Sequence, residues 1–251
     1  KRAQGVAPDS PEVAQRLVAL ELVAGQPAQA LAAAREAQSR SPKSGLGHAL
    51  EGDVEAASKK WDAAAAAYRN SLKIQPTTAV AMKLHASMVR GDKTADAKAM
   101  GQKWLADHPN DIAFAGYLGD AAMARKNYAA ADAMYQLVLK RQPDDARALN
   151  NLAWIKVQTK APGALEQARR AAELRPGNVS IMDTLALALL AEGKTDEAMA
   201  VLQKAASSEP GNLSVKLTLA KAYLKAGQNA KAKEELERLK AEGDKFPYQD
   251  E

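Results

Sequence analysis

Residues 179–212 read VSIMDTLALALLAEGKTDEAMAVLQKAASSEPGN, and this stretch decides the fold. Leu185, Ala186 and Leu189 place an apolar stripe on one face of a first segment, and Ala198, Leu202 and Ala205 do the same in a second. Spacings of three and four residues are those of amphipathic α-helices. Gly193 supplies the turn between them, and Pro210 stops the second helix because its ring disfavours the α conformation at Glu209. A hairpin of two short helices cannot bury its own apolar face. It needs similar hairpins stacked on both sides.

The chain supplies them. Pro8, Pro42, Pro76, Pro109, Pro143, Pro176 and Pro210 follow one another at 34, 34, 33, 34, 33 and 34 residues. A helix–turn–helix unit with this period resembles the tetratricopeptide repeat over nearly the whole length. The resemblance implies an all-α, right-handed superhelical solenoid, with first helices lining a concave groove and second helices forming the outer wall. Seven repeats are expected, at 11–44, 45–78, 79–111, 112–145, 146–178, 179–212 and 213–246. Residues 1–10 read as the end of a repeat begun upstream, since Ala3 precedes Pro8 as Ala205 precedes Pro210. Phe246-Pro247 delays the last proline, and residues 247–251 read as a truncated tail.

Leu17-Val18, Glu51-Gly52, Leu118-Gly119 and Leu219-Ala220 fall at the inner pair of their first helices. Gly52 costs its helix about 1 kcal/mol against alanine, so a close approach by a neighbouring helix is expected there. The third and fifth repeats are one residue short. The turn Arg90-Gly91-Asp92-Lys93 is expected to absorb the first deletion, and Ala161-Pro162-Gly163 forms the other turn. Trp104 stands where the pattern has a small residue.

Composition agrees with closely packed helices: 47% of residues are hydrophobic but only 4% aromatic. The absence of cysteine removes disulfides, thiol catalysis and cysteine-ligated metals. No apolar run approaches the roughly 20 residues needed to span a membrane. The net charge of +5 comes from 35 basic and 30 acidic residues with interspersed signs. That is not the dense basic stripe of a nucleic-acid binder, and no nucleic-acid partner is expected.

In the solenoids this chain resembles, the fifth and ninth places of each repeat face the groove. They are Gln15/Ala19, Ala49/Asp53, Lys83/Ser87, Gly116/Asp120, Asn150/Trp154, Asp183/Leu187 and Leu217/Lys221. With Arg90, Arg147 and Asn151 nearby, the candidate partner-binding residues are Lys83, Arg90, Asp120, Arg147, Asn150, Asn151, Trp154, Asp183 and Lys221. Trp154 could stack on an extended peptide or a sugar ring, but packing against neighbouring first helices is favoured because aromatic rings bury so much apolar area. Asn150 and Asn151 either hydrogen-bond a peptide backbone or form a polar first turn. The two-carboxylate clamp by which some repeats of this family hold chaperone tails is absent. Where it would need asparagines and further cations, Lys83 is followed by Ser87, Tyr117, Arg147 and Asn151.

His48 and His85 fall at packing places of adjacent first helices, close enough in the pattern to approach each other, and His108 ends a helix where a cation suits the dipole. Without a paired carboxylate at ligand spacing they read as packing histidines, and no metal or cofactor is expected. No phosphate loop, nucleophile elbow or paired-carboxylate cleft occurs, so the chain is not read as an enzyme.

Several segments resemble one bacterial group more closely. They are GHALEGDVEAASKKWDAAAAAYRNSLKIQP, the ending Trp104-Leu105-Ala106-Asp107-His108-Pro109, ALNNLAWIKVQ with Ala161-Pro162-Gly163-Ala164-Leu165, and Phe246-Pro247. They are similar to the TPR-repeat lipoprotein of the PEP-CTERM/exosortase A system, found beside exopolysaccharide genes. This resemblance implies a periplasmic array, anchored to the outer membrane as a lipoprotein, that assists protein export or exopolysaccharide biosynthesis; a cytoplasmic location is the alternative. The expected function is a non-catalytic scaffold binding a protein or peptide segment in its groove. Direct polysaccharide binding and a homo-oligomeric assembly platform are the rival readings.

Overall fold

The structure is a computed structural model in which residues 10–242 are described. The expected upstream repeat end within 1–10, apart from Ser10, and the tail at 247–251 lie outside those residues. The described residues form fourteen α-helices and no strand. They are α1 (Pro11–Val23), α2 (Pro27–Arg40), α3 (Leu46–Ala57), α4 (Trp61–Ile74), α5 (Thr78–Arg90), α6 (Thr94–Asp107) and α7 (Ile112–Met123). There follow α8 (Tyr128–Arg141), α9 (Ala146–Thr159), α10 (Ala164–Leu174), α11 (Val179–Ala191), α12 (Thr195–Ser208), α13 (Leu213–Lys225) and α14 (Asn229–Ala241).

The chain divides into two compact units, Lys1–Tyr117 and Leu118–Glu251. In the first, each helix from α1 to α5 packs on its successor, and α1 also reaches α3. In the second, each helix from α8 to α13 packs on its successor, with further contacts of α9 on α11 and α11 on α13. First helices therefore touch first helices across hairpins, as an all-α solenoid requires. The core is made largely of alanine: Ala186, Ala198 and Ala205 are fully buried beside Leu189 and Leu202.

Both ends of each hairpin have a local cause. Ser10, Thr77, Asp111, Asp145, Asn178 and Asn212 accept the backbone N–H three residues on, at 2.8 to 3.4 Å, and so cap the first helices. Asp111, Asp145, Asn178 and Asn212 each stand two residues after a periodic proline. The proline closes one hairpin and the polar side chain opens the next. At the tight turns, Gly25, Lys59, Asp92, Lys126, Lys160, Gly193 and Gly227 all adopt left-handed backbone, with φ between 55° and 76°. Glycine does so freely, whereas a residue with a Cβ loses about 1 kcal/mol.

Two expectations change, and the fifth-repeat turn falls where it was expected. The third repeat is not shortened in its turn: Asp92 lies as far ahead of Pro109 as Lys59 lies ahead of Pro76. The missing residue is in the loop before α5, where the cap Thr77 follows Pro76 directly. A left-handed turn has a fixed backbone path, while an extended loop loses a residue without changing the hairpin. In the fifth repeat, α10 has 11 residues against 14 in α8 and α12, so Ala161-Pro162-Gly163 replaces the first turn of that helix. Leu17, expected at an inner pair, is 40% exposed while Val18 is buried. Val18 packs with Ala14 and Leu22, one turn either side of it, which rotates Leu17 off the buried face.

Gly52 and Gly119 are explained by their own hairpins. A Cβ would lie 2.4 Å from the Tyr68 ring at Gly52 and 2.7 Å from the Tyr135 ring at Gly119. The rings of Tyr68 on α4 and Tyr135 on α8 thus fill the space beside the glycine backbone of α3 and α7.

Candidate functional site: the face of the first helices

Several places expected to face the groove are covered by neighbouring helices. Ala49, Gly116, Asp183 and Leu217 at the fifth place, and Ser87 at the ninth, are all buried. Ala49 is covered by Val80 and Leu84 of α5 and Asp183 by Ser214 of α13, while Leu217 packs on Leu239 of α14.

The charged groove residues are mostly spent on one another. In the first unit, Asp53 on α3 accepts the Tyr68 hydroxyl at 2.8 Å and pairs with Lys83 Nζ on α5 at 2.8 Å. In the second, Asp120 on α7 accepts the Tyr135 hydroxyl at 2.7 Å and pairs with Arg147 Nη1 on α9 at 2.8 Å. Each carboxylate takes a tyrosine from its own hairpin and a cation from the next. Burial first, and then the adjacent carboxylate, hold both tyrosine hydroxyls well above the ordinary phenol range, so they remain donors. Lys83, Asp120 and Arg147 are therefore joints between repeats. The sequence could not show the pairing, because the two cations occupy different places in their repeats, one helical turn apart.

Arg90 lies over the Trp61 ring at 5.4 Å. Asp183, expected to offer its carboxylate to the groove, is 8% exposed, and the Ser214 hydroxyl donates to its Oδ2 at 2.5 Å. Burial raises its pKa above the ordinary aspartate value, against the opposing pull of Ser214, Thr218 and Lys221 on α13. Its Oδ1 is buried without a hydrogen-bond partner among the described residues.

The histidines do separate work. His85 is buried, with Nδ1 2.9 Å from the Tyr117 hydroxyl, and His48 Nδ1 is 3.8 Å from Glu51. His108 caps α6 and its ring lies 4.2 Å from that of Trp104. Trp104 is buried and donates its indole N–H to Asp111 Oδ2 at 2.7 Å. No group of three or more metal-ligating side chains occurs among the described residues. None of their helices is long and apolar enough to cross a membrane.

A polar cleft lies in the second unit. It encloses about 900 Å³ between the loop before α9 and the loop before α11. Arg147, Asn150 and Asn151 on α9 meet Arg175, Asn178 and Ser180 there. Asn150 donates weakly to Asn151 Oδ1 at 3.4 Å, and its own Oδ1 is buried with no partner. The Arg175 guanidinium is exposed and has no hydrogen-bond or ion-pair partner among the described residues. Arg175, Asn178 and Ser180 were not singled out from the sequence; Asn178 carries a signal, as the cap two residues after Pro176. Trp154 lies further along α9, half-buried, edge-on to Tyr128 of α8 at 5.6 Å. Its ring partner is thus on a second helix.

Sequence profiles described as tetratricopeptide repeat match residues 17–79, 156–212 and 189–250. The chain is a tetratricopeptide repeat protein. Such repeats generally mediate protein–protein interaction, and the fold is generally non-catalytic. No curated protein sequence matches this TPR chain. Among solved structures, a tetratricopeptide repeat protein from Parabacteroides merdae is 15% identical, with a TM-score of 0.61 over 95% of this chain and 94% of that one. The C-terminal part of a TPR repeat-containing protein from Cytophaga hutchinsonii is 15% identical, with a TM-score of 0.65 over 90% and 94%. Yeast Tom70 is 14% identical at a TM-score of 0.61, over 80% of this chain and 44% of its own. At these identities the likeness is one of fold.

Proposed function

We propose that this TPR protein is a non-catalytic scaffold that holds an extended segment of a partner protein in the cleft between α9 and α11. The observation that carries this reading is the buried, unpartnered Asn150 Oδ1 in a polar cleft where amides, a hydroxyl and two guanidiniums stand beside the carboxylates of Asp144 and Asp145. A buried acceptor without a partner is costly, and a backbone N–H of a bound segment would satisfy it. Within the cleft Arg147 is held by Asp120 and the Asn178 oxygen caps α11, which leaves Asn150, Asn151, Arg175 and Ser180 to read a ligand. A photoreactive residue in place of exposed Arg175 should cross-link one partner, and the same residue in place of Lys233 on α14 should not. Equal labelling from both positions would sink the cleft reading.

The setting we propose is the bacterial envelope, as a periplasmic or outer-membrane-anchored protein serving export or exopolysaccharide biosynthesis. It rests on the segment resemblance. A lipoprotein signal with its cysteine in the gene upstream would support it, and an uninterrupted cytoplasmic start would remove it. A second reading, polysaccharide binding, draws support from the half-exposed Trp154–Tyr128 pair. It requires Trp154→Ala to abolish retention on a glycan array.

A further inference from the structure

Each tight turn between first and second helices has a left-handed residue directly after the first helix's last turn, and in the first, sixth and seventh repeats it is glycine; the fifth turn has a second one, Gly163 at φ 81°. The second, fourth and fifth place lysine there instead: Lys59 at φ 57°, Lys126 at 55° and Lys160 at 55°. The same turn closes with glycine elsewhere in the chain, so these lysines are kept against a backbone penalty that the fold does not require. Strain of this kind, retained where a relaxed residue would serve, points to a use for the side chain.

The lysines that follow the left-handed residue are paired: Lys60 with Glu55 at 3.4 Å, Lys93 with Asp62 at 2.5 Å and Lys194 with Glu192 at 3.8 Å. The left-handed lysines are not: Lys59, and on the consecutive fourth and fifth hairpins Lys126 and Lys160 with Lys156 beside them, have no ion pair among the described residues. Lys126 and Lys160 hold equivalent places in consecutive hairpins, and Lys156 Nζ lies over the second of these turns, where a Cβ on Gly163 would be 3.2 Å from it. Glu166, on the first turn of α10, is the acid nearest in sequence to Lys160. Tyr128 follows Lys126 by two residues and meets Trp154, so a half-exposed aromatic pair borders the basic edge.

We infer that the turn edge of the fourth and fifth repeats is a docking surface for an acidic segment of the partner protein; this rests on the reading of the chain as a partner-binding scaffold. Unpaired ammonium groups on successive hairpins ask for carboxylates at a matching interval. Packed helices lie roughly 8–10 Å apart. An extended peptide rises about 3.3 Å per residue, so acids at every third position fall opposite successive hairpins. The aromatic pair accepts an apolar side chain between them.

The test uses the full chain and a short fluorescent peptide with glutamate at every third position and leucine between, titrated at low and at physiological ionic strength. The peptide should bind, more weakly as salt rises. The double variant Lys126→Gly/Lys160→Gly should melt at a higher temperature than the parent and yet bind about tenfold more weakly, through loss of two surface charge contacts. The control Lys233→Ala/Lys240→Ala removes the same charge from α14 and should leave binding unchanged. No binding of the peptide, unchanged binding by the glycine variant, or an equal loss in the control would overturn the surface. So would tighter binding of polyphosphate or an anionic polysaccharide than of the peptide. A partner cross-linked at position 175 but indifferent to the glycine variant refutes this surface and leaves the cleft standing. Peptide binding without cross-linking there does the reverse.

Discussion

The Tyr135 hydroxyl donates to Asp120 Oδ1 at 2.7 Å across one hairpin, and two repeats earlier Tyr68 makes the same bond to Asp53 at 2.8 Å. In both cases a glycine precedes the aspartate and lies against the ring, and a cation from the next repeat completes the carboxylate. The unit that repeats here is therefore larger than one hairpin. It is a hairpin together with the first helix of its successor, locked through a single carboxylate. Asp120→Ala should leave the Tyr135 hydroxyl without its acceptor and cost about 2 kcal/mol, more than an exposed ion pair alone would explain. A double-mutant cycle with Tyr135→Phe, read by urea unfolding, should give a coupling of about 1 kcal/mol. Additive losses would show that the tyrosine bond carries none of the joint.

Gly52→Ala and Gly119→Ala test the same joint from its other side. Helix propensity alone favours alanine by about 1 kcal/mol. The added Cβ would stand 2.4 Å from the Tyr68 ring and 2.7 Å from the Tyr135 ring, far inside van der Waals contact. The rings are backed by a packed core, so overpacking should dominate and each variant should lose about 2 kcal/mol. Thermal melts decide the sign, and a stabilised Gly52→Ala would mean that the ring moves freely.

The proline period made the hairpins readable because each proline ends one helix just before a capping side chain begins the next. The site was less readable, since groove places name a direction and not a neighbour. Lys83 and Arg147 look like ligand-binding cations in sequence, and only packing brings Asp53 and Asp120 within 2.8 Å of them. Asp183 looked available because the small residues that let α11 and α13 close over it are scattered through two repeats. The shortened third repeat was misplaced for a related reason: Gly91 resembles a turn glycine, yet the left-handed residue is Asp92.

The left-handed lysines give a prediction about stability that is independent of any ligand. Lys59→Gly should stabilise the first unit by about 0.5–1 kcal/mol, relief of backbone strain outweighing the glycine's greater unfolded-state freedom. Gly193→Ala should act in the opposite direction by about 1 kcal/mol, since φ is 76° there and a Cβ is disfavoured. Equal and small effects from both variants, measured by denaturant unfolding, would contradict the strain argument.

Asp183 makes stability depend on pH in an unusual direction for a carboxylate. Its folded-state pKa is raised above the ordinary 3.8, chiefly by burial, so the folded protein holds the proton more tightly than the unfolded chain. Between the unfolded and the folded value the native state binds more protons, and stability falls as pH rises through that window. The term is favourable when the group is protonated on both sides, and it is lost once pH passes the folded value. Asp183→Asn removes the ionisation while keeping an acceptor for the Ser214 hydroxyl. The variant should therefore gain on the parent as pH rises above the ordinary aspartate value of 3.8 and through the raised folded one. Hydrogen exchange of α11 and α13 amides, followed across that range in both proteins, reads the difference at the residues concerned. Parallel pH profiles would show that Ser214, Thr218 and Lys221 already compensate the buried charge in full.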